Sequence, residues 1–204
     1  MKTVFLTGAI GSGKSSVAAL LSRRGIPVYD SDERTKSLYK RRPGLVRAVE
    51  KSLGVSLRGE DGELDKKRLA GIVFSDPSAL EKLEAIVHPA VLEDFRRWRI
   101  RQEGKAPFVV MESAIVLSKP VFSAEADAVV WVEAPEDIRL KRVMERSGLS
   151  EVQVRERMSS QESELSWKAD VIIINDSSPE ALSARVDEVF FDKNSYICKL
   201  LNTE

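Results

Sequence analysis

The chain has 204 residues, 43% hydrophobic and 31% charged, with 32 Lys plus Arg balanced by 32 Asp plus Glu. That length suits one globular domain with insertions, and a balanced charge argues against a nucleic-acid binder, which would carry a basic excess. Cys198 is the single cysteine, which excludes an internal disulfide framework and a cysteine-built metal cluster. No apolar run reaches transmembrane length. A glycine loop stands where the apolar stretch of a signal peptide would be, so a cytoplasmic protein with no membrane partner is expected.

Val4-Phe5-Leu6 reads as a short first strand. Gly8-Ala9-Ile10-Gly11-Ser12-Gly13-Lys14-Ser15 follows and fits the phosphate-loop pattern G-x-x-x-x-G-K-[ST] at every specified position. A helix is predicted next, from about Gly13 to Arg24, with Gly25 as its stop. Strand, glycine loop and helix together are what a triphosphate requires. Main-chain amides can all face the phosphate oxygens, and the helix dipole adds positive potential. In this pattern Lys14 would reach the β- and γ-phosphates of a bound triphosphate, and the Ser15 hydroxyl would hold Mg²⁺.

Ile26 to Tyr29 reads as the second strand, confined by Pro27 to an edge or a strand start, and it ends in Asp30-Ser31-Asp32. Asp32 is the candidate to orient or deprotonate an acceptor hydroxyl. The competing reading makes it a helix N-cap. The second strand commonly neighbours the first in such folds, which would set Asp32 beside the loop.

Residues 33–105 form a helical insertion. Apolar residues recur at helical spacing from Leu38 to Leu53, and residues 54–62 are turn-rich. One helix is predicted over residues 65–74 and another from Ser75-Asp76-Pro77, broken or kinked at His88-Pro89. A further helix should run from Ala90 to Glu103. Arg96, Arg97, Arg99 and Arg101 with Trp98 read as a solvated face with one core tryptophan. His88, the one histidine, is a candidate for the acceptor site.

Three more strands follow: Phe108 to Met111 ending at Glu112, Asp127 to Val132 ending at Glu133, and Asp170 to Ile174 ending at Asn175. All five runs are continuously apolar, as strands covered on both faces should be. The strand ends carry the loop, Asp30 and Asp32, Glu112, Glu133 and Asn175. In an open parallel sheet, ligands sit at those carboxyl ends. Glu112 is a second acidic element for Mg²⁺ or substrate. Pro135 should be the first residue of a helix on which Arg139, Arg142 and Arg146 share a face. They could close over the phosphates and cancel developing charge. Arg157 offers the same on the next helix, which a capping box at Ser150-Glu151-Val152-Gln153 opens and which should run to about Gln161. A closing helix spans residues 179–191, and the tail at 192–204 has no assigned element.

At this stage a nucleoside monophosphate kinase and a nucleotide-binding switch both stand as alternatives. The chain has no Asn-Lys-x-Asp guanine reader and no Leu-Ser-Gly-Gly-Gln signature.

The order of several stretches resembles the dephospho-CoA kinases. They are residues 8–15, Asp30-Ser31-Asp32, Val73-Phe74-Ser75-Asp76-Pro77, Leu83 to Pro89, Arg142 with Arg146, Gln161, and Ala169 to Asn175. The resemblance runs from Met1 to about Phe191. It implies an α/β P-loop kinase, three-layered on a five-stranded parallel sheet, with a helical CoA-binding insertion (33–105) and a lid (135–165) within a core made of 1–32 and 106–191. The implied reaction is transfer of the ATP γ-phosphoryl group to the ribose 3′-hydroxyl of dephospho-CoA by a monomer or small homo-oligomer. It makes Asp32, Lys14 and Arg142 catalytic. Residues 10–15, Arg142, Arg146 and Asn175 fall to the nucleotide, and Asp32, His88, Glu112 and Arg157 to the acceptor. Ala9 replaces the family's usual glycine, and Glu112 stands where many members have aspartate. Ala114 and Ser118 replace the usual proline and glutamate, so no role is carried over to Ser118.

Overall fold

A computed structural model describes residues 1–59, 62–159 and 165–201; Gln161 lies outside them. The chain divides into two compact units, residues 1–29 with 99–204, and residues 30–98.

The first unit is built on a parallel sheet of five strands: β1 (Lys2–Gly8), β2 (Val28–Asp30), β3 (Phe108–Glu112), β4 (Ala128–Glu133) and β5 (Val171–Ile174). Their order across the sheet is β2-β3-β1-β4-β5. The expected adjacency of the first two strands is therefore wrong: β3 lies between them. β1 pairs with β3 in the register Leu6↔Glu112, and with β4 in the register Gly8↔Val132. Chain order does not fix sheet order once an insertion separates β2 from β3. Edge position suits Pro27, which gives no amide but whose carbonyl accepts from the Val110 amide at 3.0 Å.

Alternation along the strands builds two covered faces. Val4, Leu6, Val110, Val130, Val132 and Ile173 pack with residues of α1 (Lys14–Arg23) and of a later helix, α9 (Pro179–Phe191). Phe5, Val109, Met111 and Trp131, which point the other way, are buried as well. Each such side chain contributes about 1.5–3 kcal/mol. β5 departs from the expected continuous burial, because Ile172 and Ile174 are 44% and 38% exposed at the sheet edge.

Polar side chains brace the strand starts. Asp127 accepts from the Thr3 amide at 2.7 Å, and Asp170 accepts from the Val129 amide at 2.8 Å. Arg24, capping α1, forks onto Asp187 of α9 at 2.5 and 2.7 Å.

The second unit carries α2 (Ser31–Arg41), α3 (Pro43–Leu53), α4 (Lys66–Ser75) and α5 (Pro77–Ile100), the last of which runs on into the first unit. Asp94 on α5 is 5% exposed and takes Arg34 at 2.9 Å and Arg41 at 3.6 Å, both from α2. The expected break at His88-Pro89 does not occur, and α5 is a single helix of 24 residues with Pro89 inside it. A proline costs a helix interior about 3 kcal/mol. Val87, Val91, Leu92 and Phe95 are buried on either side of Pro89, and at about 1.5–3 kcal/mol each their burial exceeds that cost. Ala85, whose carbonyl loses its helical donor, and Pro89 are both exposed, so water can serve that carbonyl. Trp98 is half-buried and stacks on Phe95 with centroids 6.0 Å apart, and Arg97 pairs with Glu93.

Back in the first unit, α6 (Pro120–Ser123) is short. The helix α7 (Glu136–Ser147) starts one residue later than predicted, with Pro135 as its N-cap. The capping box opens α8 (Glu151–Ser159) as expected: the Ser150 amide donates to Gln153 Oε1 at 3.0 Å. The tail carries α10 (Tyr196–Leu201), with Ile197 fully buried in the sheet core. Among the described residues no helix is long and apolar enough to cross a membrane.

Candidate active site

The loop between β1 and α1 is shaped by its glycines and clamped from outside. Gly11 and Gly13 sit at φ 79° and 98°, in the left-handed region that glycine enters without cost. Three different elements press on the places where side chains would be. A Cβ on Gly8 would lie 2.2 Å from the Val132 carbonyl oxygen of β4. On Gly11 it would lie 2.6 Å from the Arg139 carbonyl oxygen of α7, and on Gly13 2.1 Å from Asn175 Nδ2. So glycine here serves close packing of the protein against the loop as well as the loop's own turn.

Donors gather at this loop. The amides of Gly11 and Gly13 donate to no protein acceptor among the described residues. The N-terminus of α1 adds the positive end of the helix dipole. Lys14 Nζ donates to the carbonyls of Gly8 at 2.8 Å and Ala9 at 3.1 Å, which holds the ammonium against the loop. This set can take a polyanion: clustered N–H dipoles, a helix end and a fixed cation.

Glu112 stands beside Ser15 because β3, not β2, neighbours β1. The Ser15 hydroxyl donates to Glu112 Oε1 at 2.8 Å. Ser15 is exposed and Glu112 half-buried, so this oxygen pair lies open to solvent next to Lys14.

On the other flank, Arg142 and Asn175 grip the loop together. Asn175 is 5% exposed, and its Nδ2 donates to the Ser12 carbonyl at 2.8 Å. Arg142 donates to the same carbonyl at 3.5 Å, to the Asn175 carbonyl at 3.2 Å and to Asn175 Oδ1 at 3.3 Å. Ile10 packs against the small core that α7 and α8 share, made of Leu140, Val143, Val154 and Met158. The Ser12 hydroxyl is buried with no hydrogen-bond partner among the described residues.

The structure thus brings together residues 10–15, Glu112, Arg142 and Asn175. It does not bring Arg146 to them: this side chain is exposed and makes no hydrogen bond to the loop among the described residues. Arg139 turns its guanidinium back to the Ala134 carbonyl at 3.1 Å, so its backbone and Cβ, and not its charge, meet the loop. Arg157 is exposed on α8.

Asp32 and His88 belong to the second unit. Asp30, not Asp32, is the N-cap of α2, its Oδ1 accepting from the Glu33 amide at 3.0 Å. Asp32 is exposed in the first helical turn. One turn on, the Lys36 ammonium is held above its ordinary range, chiefly by its hydrogen bond to Glu33, with the Asp32 and Asp30 carboxylates adding to the effect. His88 is half-buried within α5.

One supporting residue has no mark in the sequence. Arg185 of α9 donates to the Ile174 carbonyl and pairs with Asp176 at 2.8 Å, fixing the residues on either side of Asn175. A lone arginine in a helix gives no signal of that kind.

A family model described as dephospho-CoA kinase matches residues 2–180. The chain belongs to the dephospho-CoA kinase family. A dephospho-CoA kinase of Porphyromonas gingivalis is 44% identical over 166 residues, which is 81% of this chain and 80% of that one. Among solved structures, a protein from Thermus thermophilus superposes with a TM-score of 0.79 at 35% identity, covering 93% of this chain and 96% of the other. Dephospho-CoA kinase from Campylobacter jejuni does so with a TM-score of 0.64 at 26% identity, over 93% and 96% of the two chains. The family is one of P-loop kinases, in keeping with the five-stranded parallel sheet and the loop that follows β1.

Proposed function

We propose that this chain transfers the γ-phosphoryl group of ATP to the ribose 3′-hydroxyl of dephospho-CoA, giving CoA and ADP. The observation that carries the reading is the loop assembly, in which donors, Lys14 and the Ser15–Glu112 pair lie along one end of the sheet, together with family membership.

The loop amides and Lys14 bind the polyphosphate and spread its charge over fixed donors, which is most of what phosphoryl transfer asks of a protein. Asp32, two residues past β2, is assigned to accept the proton of the acceptor hydroxyl. Asp30 already serves as the helix cap, which leaves the capping role out of the case for Asp32. Arg142 is assigned to the nucleotide, with Arg146 as a second arginine on the same helix, and His88 and Arg157 to the acceptor. The second unit would hold the CoA moiety, and the α7–α8 pair would act as the lid.

Ser15 and Glu112 suit Mg²⁺. They offer hard oxygen donors, and among the described residues no group of three or more His, Cys, Asp or Glu could form an all-protein cage. Mg²⁺ characteristically takes one or two protein oxygens and fills its sphere with phosphate and water. When bound, it would neutralise phosphate charge. The protein would work in the cytoplasm as a monomer or small homo-oligomer.

A turnover panel tests the acceptor: dephospho-CoA should be phosphorylated, and AMP, CMP, GMP and UMP should not. Phosphorylation of a nucleoside monophosphate alone would overturn the assignment.

A further inference from the structure

We infer that Asn175 is a positioning residue that aims the Gly13 amide at the nucleotide's phosphates through the Ser12–Gly13 peptide plane. The inference rests on the nucleotide reading above and deepens it.

A trans peptide is planar, so the carbonyl of one residue and the amide of the next point in opposite directions. The described chain has no cis peptide. Asn175 Nδ2 holds the Ser12 carbonyl at 2.8 Å within a buried contact, on the side of the loop that faces α7 and β5. The Gly13 amide is thereby turned to the opposite side, and it donates to no protein acceptor among the described residues.

Three further observations make Asn175 a fixed pivot. Its own amide donates to the Glu133 carbonyl at 2.7 Å, which ties it to the end of β4. Its Oδ1 accepts from Arg142 at 3.3 Å, which sets the amide so that nitrogen faces the loop. Gly13 has no Cβ to resist, for one would lie 2.1 Å from Nδ2. A carboxamide is the group this place requires: one end donates to a carbonyl, and the other accepts from a guanidinium.

Two variants separate this role from packing. Asn175→Asp keeps the shape and offers Arg142 a charged partner, but sets a carboxylate oxygen against the Ser12 carbonyl. Asn175→Leu keeps the bulk and is uncharged, but gives Ser12 no donor. Calorimetric titration with Mg²⁺-free ADP reads the loop without the Ser15–Glu112 pair. Both variants should bind ADP about 10- to 100-fold more weakly, as loss of one hydrogen bond to a charged group implies. At saturating ATP, kcat should fall less than KM rises, since the amide grips ground state and transition state alike. In the wild-type protein, the Gly13 amide proton should move downfield when ADP is added. Unchanged ADP affinity in a folded variant, or a Gly13 resonance that ADP leaves in place, would overturn the inference and leave the nucleotide reading standing. Failure of the wild-type protein to bind ADP or ATP would overturn both.

Discussion

The Ser15 hydroxyl and the Glu112 carboxylate meet at 2.8 Å across 97 residues of sequence. The pair exists because β3 runs beside β1 with Leu6 opposite Glu112.

Glu112→Gln should therefore act through the metal requirement. The Mg²⁺ concentration for half-maximal rate should rise about 10- to 100-fold, the usual scale for disturbing a metal's supporting groups. Stability should change little, since the side chain is half-buried. A titration of initial rate against Mg²⁺ checks this, and an unchanged curve would reduce Glu112 to a polar strand end.

Asp30 and Asp32 should separate cleanly. Asp30→Ala removes the cap from the Glu33 amide and should cost about 0.5–2 kcal/mol of stability. Asp32→Asn should leave stability alone and lower kcat by about 10²–10⁴-fold, the range for a lost general base, with ATP affinity kept. Thermal melts beside steady-state kinetics would show it. If Asp32→Asn lost stability and kept kcat, the two roles would be reversed.

The joint between α1 and α9 should be sensitive to acid. The Arg24 guanidinium, hydrogen-bonded to Asp187, holds that carboxyl below its usual range. A depressed folded-state value means stability that is present above the unfolded carboxylate range and lost as pH falls through the lower, folded value. Melting temperatures of Asp187→Asn and the wild-type protein should thus differ at neutral pH and converge in strong acid. The gap should be small, because Asp187 is 51% exposed.

Much of this was legible from residue patterns. Apolar runs marked all five strands, the glycine pattern marked the loop, and Ser150 with Gln153 marked the start of α8. These are local signals, and local chemistry decides them. Strand order was not legible, since nothing near Asp30 or Glu112 says which strand will lie beside β1. The passage of α5 through Pro89 was missed because burial on both sides, a tertiary term, outweighs the local proline penalty. Asp30 and Asp32 are both chemically fit to cap, and only the backbone at Asp30, φ −78° and ψ 106°, selects it. The grip of Asn175 on Ser12 joins residues 163 apart in sequence, beyond any motif.

The central claim is tested most directly by finding where the new phosphate lands. The protein would be incubated with ATP, Mg²⁺ and dephospho-CoA, and the product's phosphorus NMR spectrum recorded with proton coupling. A phosphomonoester split by the ribose 3′ proton, formed by the wild-type protein and absent with Lys14→Ala, is the predicted result. A phosphate on any other hydroxyl, or the same product formed at full rate by Lys14→Ala, would contradict the account.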